Sequence, residues 1–207
     1  GRPTCTARPK GGGGKHLPPL RRLRKIETTA GANASPHMPV HRIASVVKKI
    51  LGGMPSVPVS PPYDTNGSPD TWSASELSVI ANSWAVAAED FAPWNVNVTT
   101  IDPGEEALKR SSSSDTNWGV RVVITSDTFL DCGCGGVAYI GSFDDAMDEP
   151  AFVFNSSFVG VSEAITHEVG HTLLLAHDGT STASYYTGHD SADTPGWAPI
   201  MGGGLAL

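Results

Sequence analysis

No run in this 207-residue chain approaches the roughly 18 consecutive apolar residues of a membrane-spanning helix, which argues against a span. Cysteine is scarce: Cys5, Cys132 and Cys134 are the only three, and an odd set cannot all pair within one chain. Basic residues are nearly missing from residues 51–207, where 3 Lys and Arg face 20 acids for a net charge of −17. Residues 1–50 carry the opposite imbalance, 11 against 1 or +10, and the two parts sum to the formal −7. An acidic body without a clustered basic face has no electrostatic footprint for nucleic acid. No internal repeat is visible. The length suits one domain with a tail, and leaves room for a substantial core.

The basic stretch GRPTCTARPKGGGGKHLPPLRRLRK is rich in Gly, Pro and Arg. Too few apolar side chains are present to offset the entropy of ordering it, so residues 1–50 read as a disordered arm or pro-segment remnant ahead of a domain at 51–207. No secretory leader is visible, the chain beginning with Gly1. Cys132 and Cys134 flank Gly133, a spacing open to a small-loop disulfide or two thiols, and too poor in neighbouring ligands for a structural zinc.

Residues 167–178, HEVGHTLLLAHD, carry the most chemistry. On a helix, His167 and His171 lie one turn apart on one face, so two imidazoles can converge on one metal ion with Glu168 beside them. Against this composition an HExxH pattern arises by chance in roughly 1% of such chains, and a further histidine at 177 lowers that several-fold. Zinc accepts neutral imidazole nitrogen, and a catalytic site holds it by three protein ligands and leaves one position to water, whose pKa falls from about 15.7 towards 7. Glu168 is placed to act as general base and then general acid.

These residues resemble the metzincin metalloproteases, whose pattern is HExxHxxGxxH followed by a Met-containing turn. WAPIMG at 197–202 is similar to that turn, and PPYDTNG at 61–67, AEDFAPWNVNVTT at 88–100, GGVAYIGSF at 135–143 and AFVFN at 151–155 look like flanking segments of the bacterial, reprolysin-like branch. The likeness spans about residues 61–202. It implies a zinc endopeptidase with His167, His171 and His177 as ligands, Asp178 as the alternative third ligand, Glu168 as the proton shuttle and Met201 beneath the metal. It also implies secretion, a peptide or protein substrate and a monomeric enzyme. By the same likeness Ala138, Tyr139, Ile140 and Gly141 form the rim strand that pairs with substrate backbone. Cys5 lacks the flanking pattern of the pro-segment thiols that block zinc in some metzincins.

The chain departs from the family in three places. Leu174 stands where the family has Gly, at the bend that must leave the helix in a left-handed conformation. Were the helix to continue, His177 would lie about 80° off the ligand face and about 15 Å along the axis. A left-handed leucine costs about 1–2 kcal/mol, against apparent values of about 10–16 kcal/mol for zinc binding in small peptides, so the bend is expected to form. Residues 52–62, GGMPSVPVSPP, hold four prolines where an apolar strand is expected, which disfavours a central strand there. The chain also stops soon after Met201, where the family continues into a helix, which reads as a C-terminal truncation.

Apolar residues Leu77, Ile80, Ala81, Trp84 and Ala88 space out a helix over 73–92 opened by Ser73 or Ser75. NVNVTTI at 95–101 and VRVVITS at 120–126 read as strands joined by a loop with a short helix, and GVAYI and AFVFN as two more, before a metal-binding helix beginning near Val161. The expected architecture is α/β (α+β): a mixed twisted sheet with an edge strand for substrate, a backing helix and the zinc-binding helix, as in zincin folds. Tyr185 and Tyr186 read as stacking or surface residues and His189 as solvent-facing. Acid-rich turns at Asp64–Asp70 and at Asp144, Asp145, Asp148 and Glu149 could invite calcium, but the first lacks a distal bidentate Glu, and both read as solvated turns. The competing function is a catalytically impaired zinc-binding or peptide-binding module.

Overall fold

The computed structural model describes residues 3–7, 41–46, 61–125, 132–191 and 194–203. They form a mixed sheet of six strands: β1 (Pro3–Ala7), β2 (His41–Val46), β3 (Val96–Thr99), β4 (Gly119–Ile124), β5 (Cys134–Tyr139) and β6 (Ala151–Val153), in the order β1-β5-β6-β4-β2-β3. Two helices, α1 (Ala74–Asp90) and α2 (Phe158–Thr172), back it, and a small hairpin of β7 (His189–Ser191) and β8 (Thr194–Trp197) follows. The expected α/β architecture is present, in the expected order of elements from residue 73 onward.

Two strands come from residues 1–50. Strand β2 runs parallel between β3 and β4, so a central strand precedes the proline-rich stretch, most of which lies outside the described residues. Strand β1 runs antiparallel along β5, pairing Pro3 with Tyr139, Cys5 with Val137 and Ala7 with Cys134.

The core lies between sheet and helices. Val120, Val122 and Ile124 of β4, Ala151 and Val153 of β6 and Ala138 of β5 meet Val161, Ile165 and Val169 of α2. Burying each of the valine and isoleucine side chains among them stabilises the fold by about 1.5–3 kcal/mol. This apolar stripe also fixes the rotation of α2, and so aims the face carrying His167, Glu168 and His171 inward, where all three are buried.

Helix α1 forms as expected but shows a different face to the core. Its buried positions are Glu76, Ser83 and Ala87, with Val79, Trp84 and Ala88 packed beside them, whereas Leu77 is half exposed and Ala81 faces out. The reason is Glu76. Its carboxylate closes the capping box with Ser73 and also receives the Thr65 N–H at 2.8 Å, so it must point inward, and the apolar stripe turns by one residue. The two helices are linked by hydrogen bonds from Thr166 Oγ1 to Asp90 (2.7 Å) and from Ser162 Oγ to Ser83 Oγ (3.3 Å).

Backbone N–H groups and two arginines take up much of the charge of the acid-rich turns. Asp64 accepts the N–H groups of Asn66, Gly67 and Ser68. Asp144 pairs with Arg110 at 2.9 Å, and Asp148 with the largely buried Arg121 at 3.1 Å. Cys132 and Cys134 form a disulfide, which resolves the two states open from sequence.

Candidate metal centre

Helix α2 is capped at its start by Ser157, whose side chain accepts the Gly160 N–H, and Asn155 braces that turn by donating to the Gly160 carbonyl at 2.9 Å. At its other end the chain leaves through Leu174, whose φ of 74° makes it the non-glycine residue in the left-handed region among those described. The Leu174 N–H donates to the His171 carbonyl (3.0 Å) and the Leu175 N–H to the Gly170 carbonyl (3.0 Å). This pair of bonds is a Schellman cap, normally built on glycine. The expected bend therefore forms with leucine at its centre.

That bend swings His177 back to the other two histidines. His167 Nε2 lies 3.1 Å from His171 Nε2, which lies 3.0 Å from His177 Nε2. Their candidate ligand atoms all fall within 4.8 Å of one another, and this is the metal-holding group found among the described residues. Asp178 is not part of it; its backbone N–H donates to the Met201 carbonyl at 2.8 Å.

The opposite ring nitrogens decide what the cluster can do. His167 Nδ1 lies 2.7 Å from the Ile200 carbonyl and His171 Nδ1 lies 2.8 Å from the Leu175 carbonyl. A carbonyl can only accept, so each Nδ1 carries the proton and each Nε2 turns a lone pair towards the centre. Burial pushes His167 down to about 4 against the opposing effect of the Ile200 carbonyl, with His171 and His177 adding to the downward shift. Burial also lowers His171 and His177. Neutral imidazoles with convergent lone pairs repel unless a cation lies between them, so the donor set fits a divalent ion that takes nitrogen ligands.

Met201 is buried against the end of α2. Its Sδ would lie 2.5 Å from a Cβ on Gly170, so the absence of a side chain at Gly170 admits the methionine under the helix between the two helical histidines. The turn holding it is closed by the Gly202 N–H on the Pro199 carbonyl, at 2.8 Å.

Glu168 is fully buried, its carboxylate against β5. A Cβ on Gly136 would meet Glu168 Oε1 at 2.6 Å, so glycine in the strand leaves room for the acid. Of the expected rim residues, Ala138 is buried in the core, Tyr139 and Ile140 are partly exposed, and the Gly141 N–H donates to the His171 carbonyl at 2.9 Å. β5 is not the expected edge strand: β1 pairs along one side of it and β6 along the other, because residues 3–7 supply a further strand that the sequence did not reveal.

The tyrosines divide. Tyr185 lies on His177 with ring centroids 4.1 Å apart, and Tyr186 turns away, its hydroxyl 2.9 Å from His189 Nδ1. His189, read from sequence as merely solvent-facing, is exposed but held by that bond. Stacking is among the readings the sequence offers for Tyr185, but its partner His177 is not, since only the folded path of the loop after His177 brings the ring there.

No protein-family model and no curated protein matches the chain. Solved structures do match, two of myroilysin among them. One has 18% identity and a TM-score of 0.33 over 70% of this chain and 47% of that one. The other has 17% identity and a TM-score of 0.29 over 68% and 48% respectively. The chain thus spans about half the length of these solved chains.

Proposed function

We propose that this protein is a zinc-dependent endopeptidase that hydrolyses peptide bonds in protein or peptide substrates. The observation that carries the reading is the convergence of His167, His171 and His177, the first two through unprotonated Nε2 atoms, with the buried Glu168 next to His167 on the same helix. His167, His171 and His177 would hold the ion, with Asp178 supporting the loop through its backbone bond to Met201.

A bound zinc supplies Lewis acidity, polarising the scissile carbonyl and lowering the pKa of water towards about 7. The remaining work falls to the chain. Glu168 removes a proton from the attacking water and delivers it to the leaving amine, a role suited to an acid held off solvent between α2 and β5. The backbone of Ala138 to Gly141 would align the peptide by pairing it along β5 in the place that β1 takes in this structure, so β1 has to yield to substrate. The Ile200 carbonyl holds His167 through Nδ1, which keeps the ligand ring in register, and Met201, next to Ile200 in the chain, packs against Gly170. Extracellular action suits the Cys132–Cys134 disulfide. No helix among the described residues is long and apolar enough to cross a membrane.

The second reading is a metal-holding or peptide-binding module without turnover, favoured by β1 lying on the edge a peptide would use. Digestion of denatured casein separates the two. The peptidase reading expects cleavage that stops with a chelator, returns with zinc, and falls at least ~100-fold in Glu168→Gln. Cleavage indifferent to both treatments removes it, and one zinc per chain without any cleavage favours the module.

A further inference from the structure

Leu174 presents a difficulty that the cap does not explain. Glycine would make the same two cap bonds without the strain of about 1–2 kcal/mol that a left-handed leucine carries. Nor is the strain offset by burial, because Leu174 is 74% exposed, with Leu173 and Leu175 at 42% and 48% on either side. A strained residue that shows a large apolar side chain to solvent points to a use outside the fold itself.

Its position suggests the use. Leu174 Cδ2 lies over Gly141, only 2.8 Å from where a Cβ there would stand, and Gly141 is itself left-handed at φ 80° and bonded to the His171 carbonyl. The leucine therefore sits just past the C-terminal end of β5, against Gly141, and a substrate pairing on β5 would do so in the place that β1 takes here. Direction follows from β1, which shows how a chain seats there: antiparallel, with its N-terminal residue Pro3 opposite Tyr139 and later residues opposite Gly136, above Glu168. A peptide in that place, with its scissile bond near Glu168, brings its residues on the N-terminal side of the bond towards Gly141 and Leu174.

We infer that Leu174 is a specificity-determining residue, forming an apolar subsite that selects peptides with an aliphatic or aromatic side chain on the N-terminal side of the scissile bond. The inference rests on the peptidase reading. Contact between an apolar substrate side chain and Leu174 removes surface from water on both, whereas a charged side chain must shed its hydration there without gaining a partner.

The test uses the full chain loaded with zinc and three sets of fluorogenic peptides, carrying Leu, Ser or Asp in turn at each N-terminal-side position. The expected wild-type result is a kcat/KM for Leu over Asp of ~10-fold or more at one of those positions, within the range one pocket contact supplies. Leu174→Gly and Leu174→Asn, both compatible with the left-handed bend, should bring that ratio within ~3-fold. A general loss caused by disturbing the bend would lower all three peptides alike and leave the ratio unmoved. An unmoved ratio, or a wild-type enzyme indifferent to the three side chains, overturns the inference while Glu168-dependent cleavage leaves the peptidase reading intact. Wild-type chain that cleaves none of the peptides overturns both.

Discussion

The carboxylate of Glu168 and the backbone of Gly136 touch with no room for a side chain between them. A Cβ on Gly136 would meet Glu168 Oε1 at 2.6 Å and the Phe152 carbonyl oxygen at 2.7 Å. The acid can swing away, but the carbonyl belongs to a paired strand and cannot. Gly136→Ala is therefore expected to lower stability by about 1–3 kcal/mol, and to reduce kcat more than it raises KM, because the carboxylate is pushed from its place over the helix. Chemical denaturation and steady-state kinetics measure the two effects. Wild-type values for both would mean that β5 yields more easily than its pairing to β6 implies.

The third ligand is separable from its neighbour. His177→Ala removes one of the three convergent nitrogens and is expected to weaken zinc binding by ~100-fold or more, beyond the range for residues that merely orient ligands. Asp178→Ala leaves its backbone N–H on the Met201 carbonyl and should retain near-normal affinity. Competition against a chromophoric chelator ranks the two. The reverse ranking would transfer the ligand role to Asp178.

Tyr185 restrains His177 by ring contact. Tyr185→Phe keeps the contact and should hold zinc within ~3-fold of wild type, while Tyr185→Ala frees the imidazole and should weaken binding ~10-fold or more. Cobalt-substituted protein gives an independent readout, since a loosened ligand changes the intensity of the visible absorption bands. Loss of affinity in the phenylalanine variant would mean that the hydroxyl, rather than the ring, is what matters.

Glu76, at the start of α1, governs acid stability. Backbone bonds from Thr65 and Ser73 hold its carboxyl down at about 2, below the ordinary 4.5. A depressed folded-state value means that its contribution is fully present above about pH 4.5 and is lost as pH falls towards 2. Glu76→Gln should remove part of the pH dependence of unfolding within that window. Titrating unfolding by circular dichroism between pH 5 and pH 2 tests this, and identical slopes in the two proteins would contradict it.

What the sequence revealed and what it concealed divide by how far apart the partners lie. The relation of His167 to His171 is set by one helical turn and could be read directly. The return of His177 could be read too, because strain at Leu174 is small beside the energy of metal binding. The face of α1 was misjudged by one residue because Glu76, a charged side chain, is drawn inward by Ser73 and Thr65, and apolar spacing takes no account of such bonds. Strand β2 was hidden inside a basic stretch whose average composition outweighed HRIASV, and β1 gains its form only from pairing with residues more than a hundred positions away. The Ile200 carbonyl on His167, 33 residues distant, and the ring of Tyr185 on His177 belong to the same class.

The bond between His167 and Ile200 has a consequence for handling the protein. It fastens the closing turn of the chain to a ring that, on the proposed reading, also grips the ion. Occupancy and chain order are then thermodynamically linked: zinc at a hundred times its dissociation constant would add about 2.7 kcal/mol to global stability. Stripping it would slacken the segment from Asp178 to Met201 before the sheet is disturbed. Limited proteolysis within that segment would thus serve as a gauge of free zinc, and melting temperatures acquire meaning only when the metal concentration is stated beside them.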